Sequence, residues 1–222
     1  DIVEAALVDR GLTLTAILIT HHHADHIGGL AALKSRHAAR SFGPADPRIT
    51  VDVTVGDGDS VALPGLGVIA EVLAVPGHTR SHLAYRVADA LFCGDTLFSL
   101  GCGRLFEGTP AQMYASLSRL AALPADTQVY CAHEYTESNL AFARAVEPGN
   151  TALAEFGAAL RDRRAAGIPS IPSTIGRERA LNPFLRSANA DLRAALARLC
   201  SAPPADPTSC FALLRRLKDQ FR

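Results

Sequence analysis

The sequence predicts an α/β protein in which most strands precede most helices. Up to about His133, short apolar runs rich in β-branched residues recur between glycines and prolines, a pattern typical of strands. From Glu137 onward, apolar residues recur at helical spacing between helix start and stop signals. The chain has 222 residues, 48% of them hydrophobic, enough for one large domain or for a medium domain with a small companion.

The strand predictions rest on six runs: TAILIT, ITVDVTV, VIAEVLAVPG, SHLAYRV, ALFCGDT and TQVYCAH. A helix is predicted among them at TPAQMYASLSRLAAL. Thr109 is its expected N-cap, Pro110 its first helical residue and Gln112 the partner that completes a capping box, and Pro124 ends it. A second helix is predicted after His26, through IGGLAALKS.

The second half of the chain is predicted to be helical. The segments are ESNLAFARAV, NTALAEFGAALRDRRAAG with Asn150 as cap and Gly167 as stop, NADLRAALARL and DPTSCFALLRRLKDQF. The proline-rich GIPSIPSTIG is a long connection between two of these helices. We therefore predict a β-rich domain over residues 1–136 and a helical domain over residues 137–222.

Composition excludes several function classes. Basic and acidic residues both number 22, so no global field attracts nucleic acid or anionic lipid. No run approaches the ~20 apolar residues of a membrane helix, and the opening segment has no signal-peptide pattern. We predict a cytoplasmic monomer without nucleic-acid or membrane partners. Five cysteines without a C-x-x-C pair favour free, buried thiols in a reducing compartment: Cys93, Cys102, Cys131, Cys200 and Cys210.

The segment THHHADHIGG concentrates metal-capable side chains directly after a predicted strand. It carries the spacing H-x-H-x-D-H, formed by His21, His23, Asp25 and His26. A histidine-rich polar turn would explain the number of imidazoles but not their spacing. Imidazole and carboxylate groups at this density favour a metal site.

Three further predicted strands end in a metal-capable residue, namely His78, Asp95 and His133. Taken alone, His78 or Asp95 would more often be a turn residue. Strands aligned in one sheet, however, bring their ends to one edge, where α/β sheets place their sites. Five histidines and two carboxylates exceed the needs of one tetrahedral ion and suit two ions that share a ligand.

The other three histidines are predicted to be structural. His22 points away from its neighbours if the segment is extended, and His37 and His82 have no partner visible in the sequence. The cysteines are predicted to be small buried hydrophobes, because thiolate ligands would need a pairing that their spacing does not offer.

Several motifs together resemble a known family. THHHADH with PGHT, GDTLF and AHEY resembles the metallo-β-lactamase superfamily, and GCGRLFEGT, NPFLR and RRLKDQF narrow the resemblance to the glyoxalase II (hydroxyacylglutathione hydrolase) family. The resemblance spans nearly the whole chain. It implies an αββα sandwich followed by a small all-helical C-terminal domain. It also implies hydrolysis of S-D-lactoylglutathione to D-lactate and glutathione.

The resemblance also implies a ligand set for two divalent ions per chain. Zinc is the expected metal, and iron and manganese remain alternatives. Asp25 and Asp95 are the candidate catalytic residues, and Asp95 is expected to bridge the ions. The first ion is expected on His21, His23 and His78, and the second on Asp25, His26 and His133. The ions would activate a water molecule against the thioester carbonyl.

The same resemblance assigns four residues to the glutathione thioester: Arg104, Tyr135, Arg215 and Lys218. Arg215 and Lys218 share one face of the last predicted helix with Arg222, which has no counterpart in the family. Without the resemblance, this face would be predicted as a solvated charged surface.

The chain departs from the family pattern at three places. Arg104 stands where some relatives have lysine, and Phe106 where some have tyrosine. Relatives also carry a few dozen further residues at the front, so the sheet is expected to lack its first strands, and restoring them is expected to raise the melting temperature.

Three alternative functions stay open from the sequence. One is a persulfide dioxygenase with a single iron, which shares the histidine cluster and GCGR but differs after that motif. Another is a lactonase or nuclease relative. The last is a non-catalytic metal-binding protein whose coordination positions are all filled by protein.

Overall fold

The computed structural model describes residues 2–199 and 204–221, so Cys200 and Arg222 lie outside the described residues. Within them, a three-stranded parallel sheet faces a six-stranded mixed sheet. The first sheet has the order β1-β2-β3, formed by β1 (Ala16–Leu18), β2 (Arg40–Gly43) and β3 (Val53–Thr54).

The second sheet has the order β11-β10-β7-β6-β5-β4. Its strands are β4 (Ser60–Leu63), β5 (Val68–Ala74), β6 (Leu83–Val87), β7 (Ala90–Gly94), β10 (Gln128–Cys131) and β11 (Ser173–Thr174). Strands β5 and β7 are each antiparallel to β6, and β10 is parallel to β7, so β5, β7 and β10 run in the same direction. A separate two-stranded hairpin joins β8 (Leu97–Phe98) to β9 (Gly101–Cys102).

The helices flank the two sheets. They are α1 (Ile2–Arg10), α2 (Ala24–Ile27), α3 (Leu30–His37), α4 (Pro110–Ala121), α5 (Thr136–Val146), α6 (Thr151–Ala165), α7 (Ile175–Leu181), α8 (Ala190–Leu199) and α9 (Pro207–Gln220). Among the described residues, no helix combines the length and the apolar character that crossing a membrane requires.

Alternating side chains of the strands build the core in layers. Between the sheets, Phe42 packs with Val72 and Tyr85. On the outer face of the second sheet, Leu91 belongs to a large buried cluster together with residues of α4, α5 and α7–α9, including Phe211. The outer face of the first sheet packs against α3 through Leu30. This arrangement confirms the αββα sandwich.

Several local predictions are confirmed by hydrogen bonds at helix starts. The Thr109 hydroxyl accepts a bond from the Gln112 backbone N–H, and the Gln112 side chain accepts one from Thr109 N–H, which is the predicted capping box. Asn150 Oδ1 accepts a bond from Leu153 N–H at the start of α6. Gly167 follows α6 with φ of 72°.

Other elements differ from their predictions. The helix expected after His26 is divided into α2 and α3 at Gly28 and Gly29, residues that disfavour helix interiors. The run ITVDVTV gives only the two residues of β3, because Asp52 turns its carboxylate to the Ser41 N–H and hydroxyl. The proline-rich connection contains β11, which extends the second sheet within the segment predicted to be helical.

The predicted boundary after residue 136 falls at the start of α5 and stays a prediction. Helices from both sides of it share one core. Met113 of α4 and Leu214 of α9 belong to the same buried cluster on the second sheet. The helices that follow the boundary therefore complete the outer layer of the sandwich.

Candidate metal centre

The predicted metal ligands converge at one end of the sandwich. His78, Asp95 and His133 follow β5, β7 and β10, which are neighbours or near neighbours in the second sheet and run in one direction. The H-x-H-x-D-H segment follows β1, which lies in the first sheet, so the expectation that one sheet carries all four strands is wrong. A hydrogen bond from Leu83 N–H to the Thr20 carbonyl, at 2.9 Å, joins the end of β1 to β6 and brings the segment to the others.

Three imidazole nitrogens form the first group. His23 Nδ1 lies 3.0 Å from His21 Nε2 and 3.0 Å from His78 Nε2. Two nitrogen ligands on tetrahedral zinc are separated by about 3.3 Å, so this spacing fits one ion. The remaining ring nitrogens of His21 and His78 have partners that orient these two rings. His21 Nδ1 lies 3.1 Å from Thr20 Oγ1, and His78 Nδ1 lies 2.9 Å from the Arg104 carbonyl oxygen.

The second group is formed by Asp25, His26 and His133. Asp25 Oδ2 lies 3.5 Å from His26 Nε2 and 3.3 Å from His133 Nε2. The Tyr135 ring stacks on the His133 ring, with centroids 5.1 Å apart and planes inclined by 13°. The stack restricts rotation of the His133 ring.

Asp95 lies between the two groups and presents one oxygen to each. Its Oδ2 is 3.5 Å from His78 Nε2, whereas its Oδ1 is 3.3 Å from His26 Nε2 and 3.6 Å from His133 Nε2. Asp95 Oδ1 and His26 Nε2 are buried without a hydrogen-bond partner. Buried polar atoms are normally satisfied, and divalent cations beside these two atoms would satisfy both. The residues therefore fit a binuclear centre.

The electrostatics of His21, His78 and Asp95 suit metal binding. Burial, reinforced by neighbouring imidazoles, lowers the pKa of His21, and burial also lowers the pKa of His78, so both rings are neutral. Burial alone would raise the pKa of Asp95, but the charge interactions with His26, His78 and His133 hold that pKa below the ordinary value. Neutral imidazoles and an ionised carboxylate are the forms that bind metal.

The β8–β9 hairpin and the GCGR motif bring the backbone against the cluster. A Cβ atom on Gly103 would lie 1.9 Å from the Asp95 carbonyl oxygen and 3.0 Å from His78 Nδ1. Only glycine permits this approach. The Arg104 carbonyl that orients His78 follows directly, so Gly103 sets the position of a hydrogen-bond acceptor for a predicted ligand.

A buried polar network holds this hairpin in place. The Glu178 carboxylate is fully buried and accepts a bond from Leu100 N–H at 2.8 Å and one from the Asn182 side chain at 2.9 Å. The same Asn182 amide donates to the Gly101 carbonyl at 3.0 Å, and Asn139 donates to the Ser99 carbonyl at 3.0 Å. The loop beside the cluster is therefore fixed from α5 and α7.

A cavity of about 410 Å³ opens beside the cluster. His78 and Asp95 reach it from the metal side. All four residues predicted to bind substrate line it: Arg104, Tyr135, Arg215 and Lys218. Phe106 forms part of its wall, is 63% exposed, and directs its ring edge-on to the His23 ring.

The two cations of α9 are built into the cavity wall. Arg215 is only 5% exposed and donates to the Cys102 carbonyl at 2.9 Å and to Asp219 Oδ1 at 2.8 and 3.1 Å. Lys218 Nζ lies 3.2 Å from the Ser138 carbonyl and 3.1 Å from its hydroxyl. The alternative of a solvated charged face does not describe these two side chains, because both lie partly or wholly within the wall.

Two known families match this chain along its length. The metallo-β-lactamase superfamily matches residues 2–46 and 39–133, and the hydroxyacylglutathione hydrolase C-terminus matches residues 134–221. The hydroxyacylglutathione hydrolase of Cupriavidus taiwanensis is 52% identical over 99% of this chain and 87% of its own length. The hydroxyacylglutathione hydrolase of Halorhodospira halophila is 51% identical over 98% of this chain and 86% of its own length. The chain belongs to the hydroxyacylglutathione hydrolase family.

Solved structures agree with this fold. ETHE1 from Myxococcus xanthus matches with a TM-score of 0.63 and 27% identity, over 96% of this chain and 81% of its own. TTHA1623, solved in a di-iron-bound form, matches with a TM-score of 0.57 and 25% identity, over 82% of this chain and 83% of its own. The resemblance stated from the sequence motifs is confirmed at the level of the hydroxyacylglutathione hydrolase family by the match to residues 134–221 and by the two relatives.

The three histidines predicted to be structural have different surroundings in this family member. His22 faces Asp46 and Glu107, at 3.7 and 3.8 Å, outside the cluster. His37 Nε2 lies 3.0 Å from Glu4 Oε2, a partner that the sequence did not reveal. His82 is fully buried directly against the cluster, and burial lowers its pKa to about 3, so its ring is neutral.

Sequence reasoning missed the residues that support the site from behind. His82, Asn139 and Glu178 stand at no recognisable spacing from the predicted ligands, so their roles depend on tertiary contacts. Asn182 does belong to the motif NPFLR, which pointed to the family but not to the hydrogen bonds of its side chain.

Proposed function

We propose that this hydroxyacylglutathione hydrolase family member hydrolyses the thioester of S-D-lactoylglutathione to D-lactate and glutathione. The observation that carries the proposal is Asp95, whose carboxylate faces two groups of metal-capable side chains and the cationic cavity at once. The cavity offers Lys218 and Arg215 on the α9 side, which suits a substrate with carboxylates.

Two divalent ions would be held by the seven clustered residues. His21, His23 and His78 would hold the first, Asp25, His26 and His133 the second, and Asp95 both. When bound, such ions lower the pKa of water and polarise a carbonyl group. We propose zinc, with iron as the alternative that the di-iron form of TTHA1623 supports.

The two candidate catalytic carboxylates have different environments and therefore different proposed roles. The Asp95 side chain is 10% exposed and would fix the spacing between the two groups. The Asp25 side chain is 59% exposed, so its second oxygen, which does not face His26 and His133, can accept a hydrogen bond from the attacking water. A thiolate leaves readily, so cleavage of the thioester needs no strong general acid.

Glutathione would lie in the cavity with its carboxylates towards the cations. Lys218 and Arg215 would bind the glycine carboxylate, and Arg104 and the Tyr135 hydroxyl would bind from the metal side. The Arg104 side chain is 68% exposed and its Nε lies 3.9 Å from Asp219 Oδ1, which leaves its fork free to turn towards a substrate.

The decisive experiment compares two reactions on the same protein. We expect S-D-lactoylglutathione to be hydrolysed and glutathione persulfide to cause no oxygen consumption. Oxygen consumption without hydrolysis would instead support the persulfide dioxygenase. No activity in either assay, with metal bound, would support a non-catalytic metal-binding protein. The cavity that reaches His78 and Asp95 favours instead a site open to substrate.

The remaining proposals concern the location and the partners of the protein in the cell. We propose a cytoplasmic location, which is supported by buried free thiols at the four described cysteines: Cys93, Cys102, Cys131 and Cys210. A monomeric state, and the absence of nucleic-acid and membrane partners, stay predictions from the sequence.

A further inference from the structure

His82 contacts the metal cluster from the interior of the protein, although it is not one of the seven clustered residues. It is fully buried and directly precedes β6. Its ring lies behind His21 and beside the backbone of Asp95, on the side away from the cavity. From its sequence context, His82 was predicted only to be structural.

A directed chain of hydrogen bonds fixes the His82 ring. The Asp95 backbone N–H lies 3.2 Å from His82 Nε2, and a backbone N–H can only donate, so Nε2 is the unprotonated acceptor. The neutral ring then carries its proton on Nδ1, which lies 3.3 Å from Thr96 Oγ1. The Thr96 hydroxyl in turn donates to the Val75 carbonyl at 3.3 Å. Each donor in this series of hydrogen bonds has one acceptor.

Packing fixes the same ring against His21. The two rings are stacked with centroids 4.6 Å apart and planes inclined by 20°. Gly94, with φ of 49°, allows this arrangement. A Cβ atom there would lie 2.8 Å from His82 Cε1 and 2.7 Å from Thr20 Oγ1. The end of β7 therefore passes close to His82 just before it places Asp95.

We propose that His82 is a positioning residue for both metal sites: it holds the backbone of the bridging Asp95 and the ring plane of His21. The proposal rests on the proposed metal centre. Hydrogen-bond partners behind metal ligands typically change metal affinity 10- to 100-fold when they are removed. His82 supports one residue of the first site and the residue shared by both.

The test measures zinc affinity by competition with a chromophoric chelator, so it does not depend on catalysis. His82→Leu removes the acceptor for Asp95 N–H, and His82→Gln keeps an acceptor oxygen near the position of Nε2. Thr96→Val removes the hydroxyl that orients the ring and provides a second test if His82→Leu does not fold. Val72→Ala, a buried change between the sheets, is the matched control for lost stability.

We expect His82→Leu to weaken zinc binding by about 10- to 100-fold. His82→Gln should recover most of this loss, and Thr96→Val should lose affinity to a smaller degree. Val72→Ala should bind zinc like the unchanged protein, even where urea unfolding of the metal-free proteins shows a comparable loss of stability.

Wild-type zinc affinity in His82→Leu, or equal losses in His82→Leu and His82→Gln, would overturn the proposal. If His82→Leu does not fold, wild-type affinity in Thr96→Val would overturn it. A failure of the proposed metal centre is distinguishable, because the unchanged protein would then bind no zinc.

Discussion

Replacing Lys218 with alanine tests whether the cations of α9 bind the substrate. An ammonium group has three donors, and Lys218 Nζ lies within bonding distance of the Ser138 carbonyl and hydroxyl, which leaves one donor for a ligand in the cavity. A hydrogen bond to a charged group contributes about 1.5–3 kcal/mol. Since about 1.4 kcal/mol corresponds to a tenfold change, KM for S-D-lactoylglutathione should rise by one to two powers of ten.

The loss should appear in KM and leave kcat nearly unchanged, because this contact is remote from the reacting carbonyl and is made equally in ground and transition states. It should be largest at low ionic strength, where charges are least screened. The other lysine of the chain supplies a matched control. Lys34 is paired with Asp52 at 2.6 Å and does not line the cavity, so Lys34→Ala should leave KM unchanged.

The pH dependence of KM gives the same test a second readout. Burial, together with the positive charges of Arg215 and Arg104, lowers the pKa of Lys218 below its ordinary value. Only the protonated amine binds a carboxylate well, so KM should rise with increasing pH before an ordinary lysine would titrate. Lys218→Arg, which stays charged, should abolish this rise. Unchanged KM in Lys218→Ala, or a loss confined to kcat, would refute the reasoning.

Substitutions at three further positions have distinct expected outcomes. Asp95→Ala should lose more bound metal in elemental analysis than any single histidine change, because its two oxygens face both groups, and equal losses across the seven residues would contradict the bridge. Arg215→Ala should raise KM and also lower Tm, since it leaves the Cys102 carbonyl and Asp219 without their partner; an unchanged Tm would refute the structural part. Glu178→Ala should lower Tm by roughly 5 °C or more, because Leu100 N–H loses its acceptor and buried unpaired groups cost about 1–3 kcal/mol each. Glu178→Gln keeps an acceptor for Leu100 N–H, so its loss of Tm should be much smaller than that of Glu178→Ala. Equal losses in the two variants would contradict the hydrogen-bond account.

The positions of three candidate ligands could be predicted because they depend only on the direction of the strands that precede them. His78, Asp95 and His133 each follow a strand of the second sheet, and three strands in one direction place their ends together whatever the details of packing. The capping box at Thr109 was equally predictable, because its two hydrogen bonds join residues three apart in sequence. Both signals are local or follow from simple periodicity.

The supporting residues could not be predicted because their partners are distant in sequence. Glu178 bonds to Leu100 across 78 residues, and Arg215 to Cys102 across 113. His82 bonds to Asp95 across only 13 residues, but the contact requires β6 and β7 to be paired. The burial of Arg215 could not be predicted from the sequence either. Helical spacing places Arg215 on a charged face of α9, and only its packing against the β8–β9 hairpin buries it.

The most direct measurement titrates the metal-free protein with zinc and follows bound metal and S-D-lactoylglutathione hydrolysis in the same samples. We predict that binding saturates at two ions per chain and that hydrolysis rises with metal content, while circular dichroism shows the metal-free protein still folded but inactive. Full hydrolysis by the folded, metal-free protein, or saturation at two ions without any hydrolysis, would contradict a binuclear thioester hydrolase.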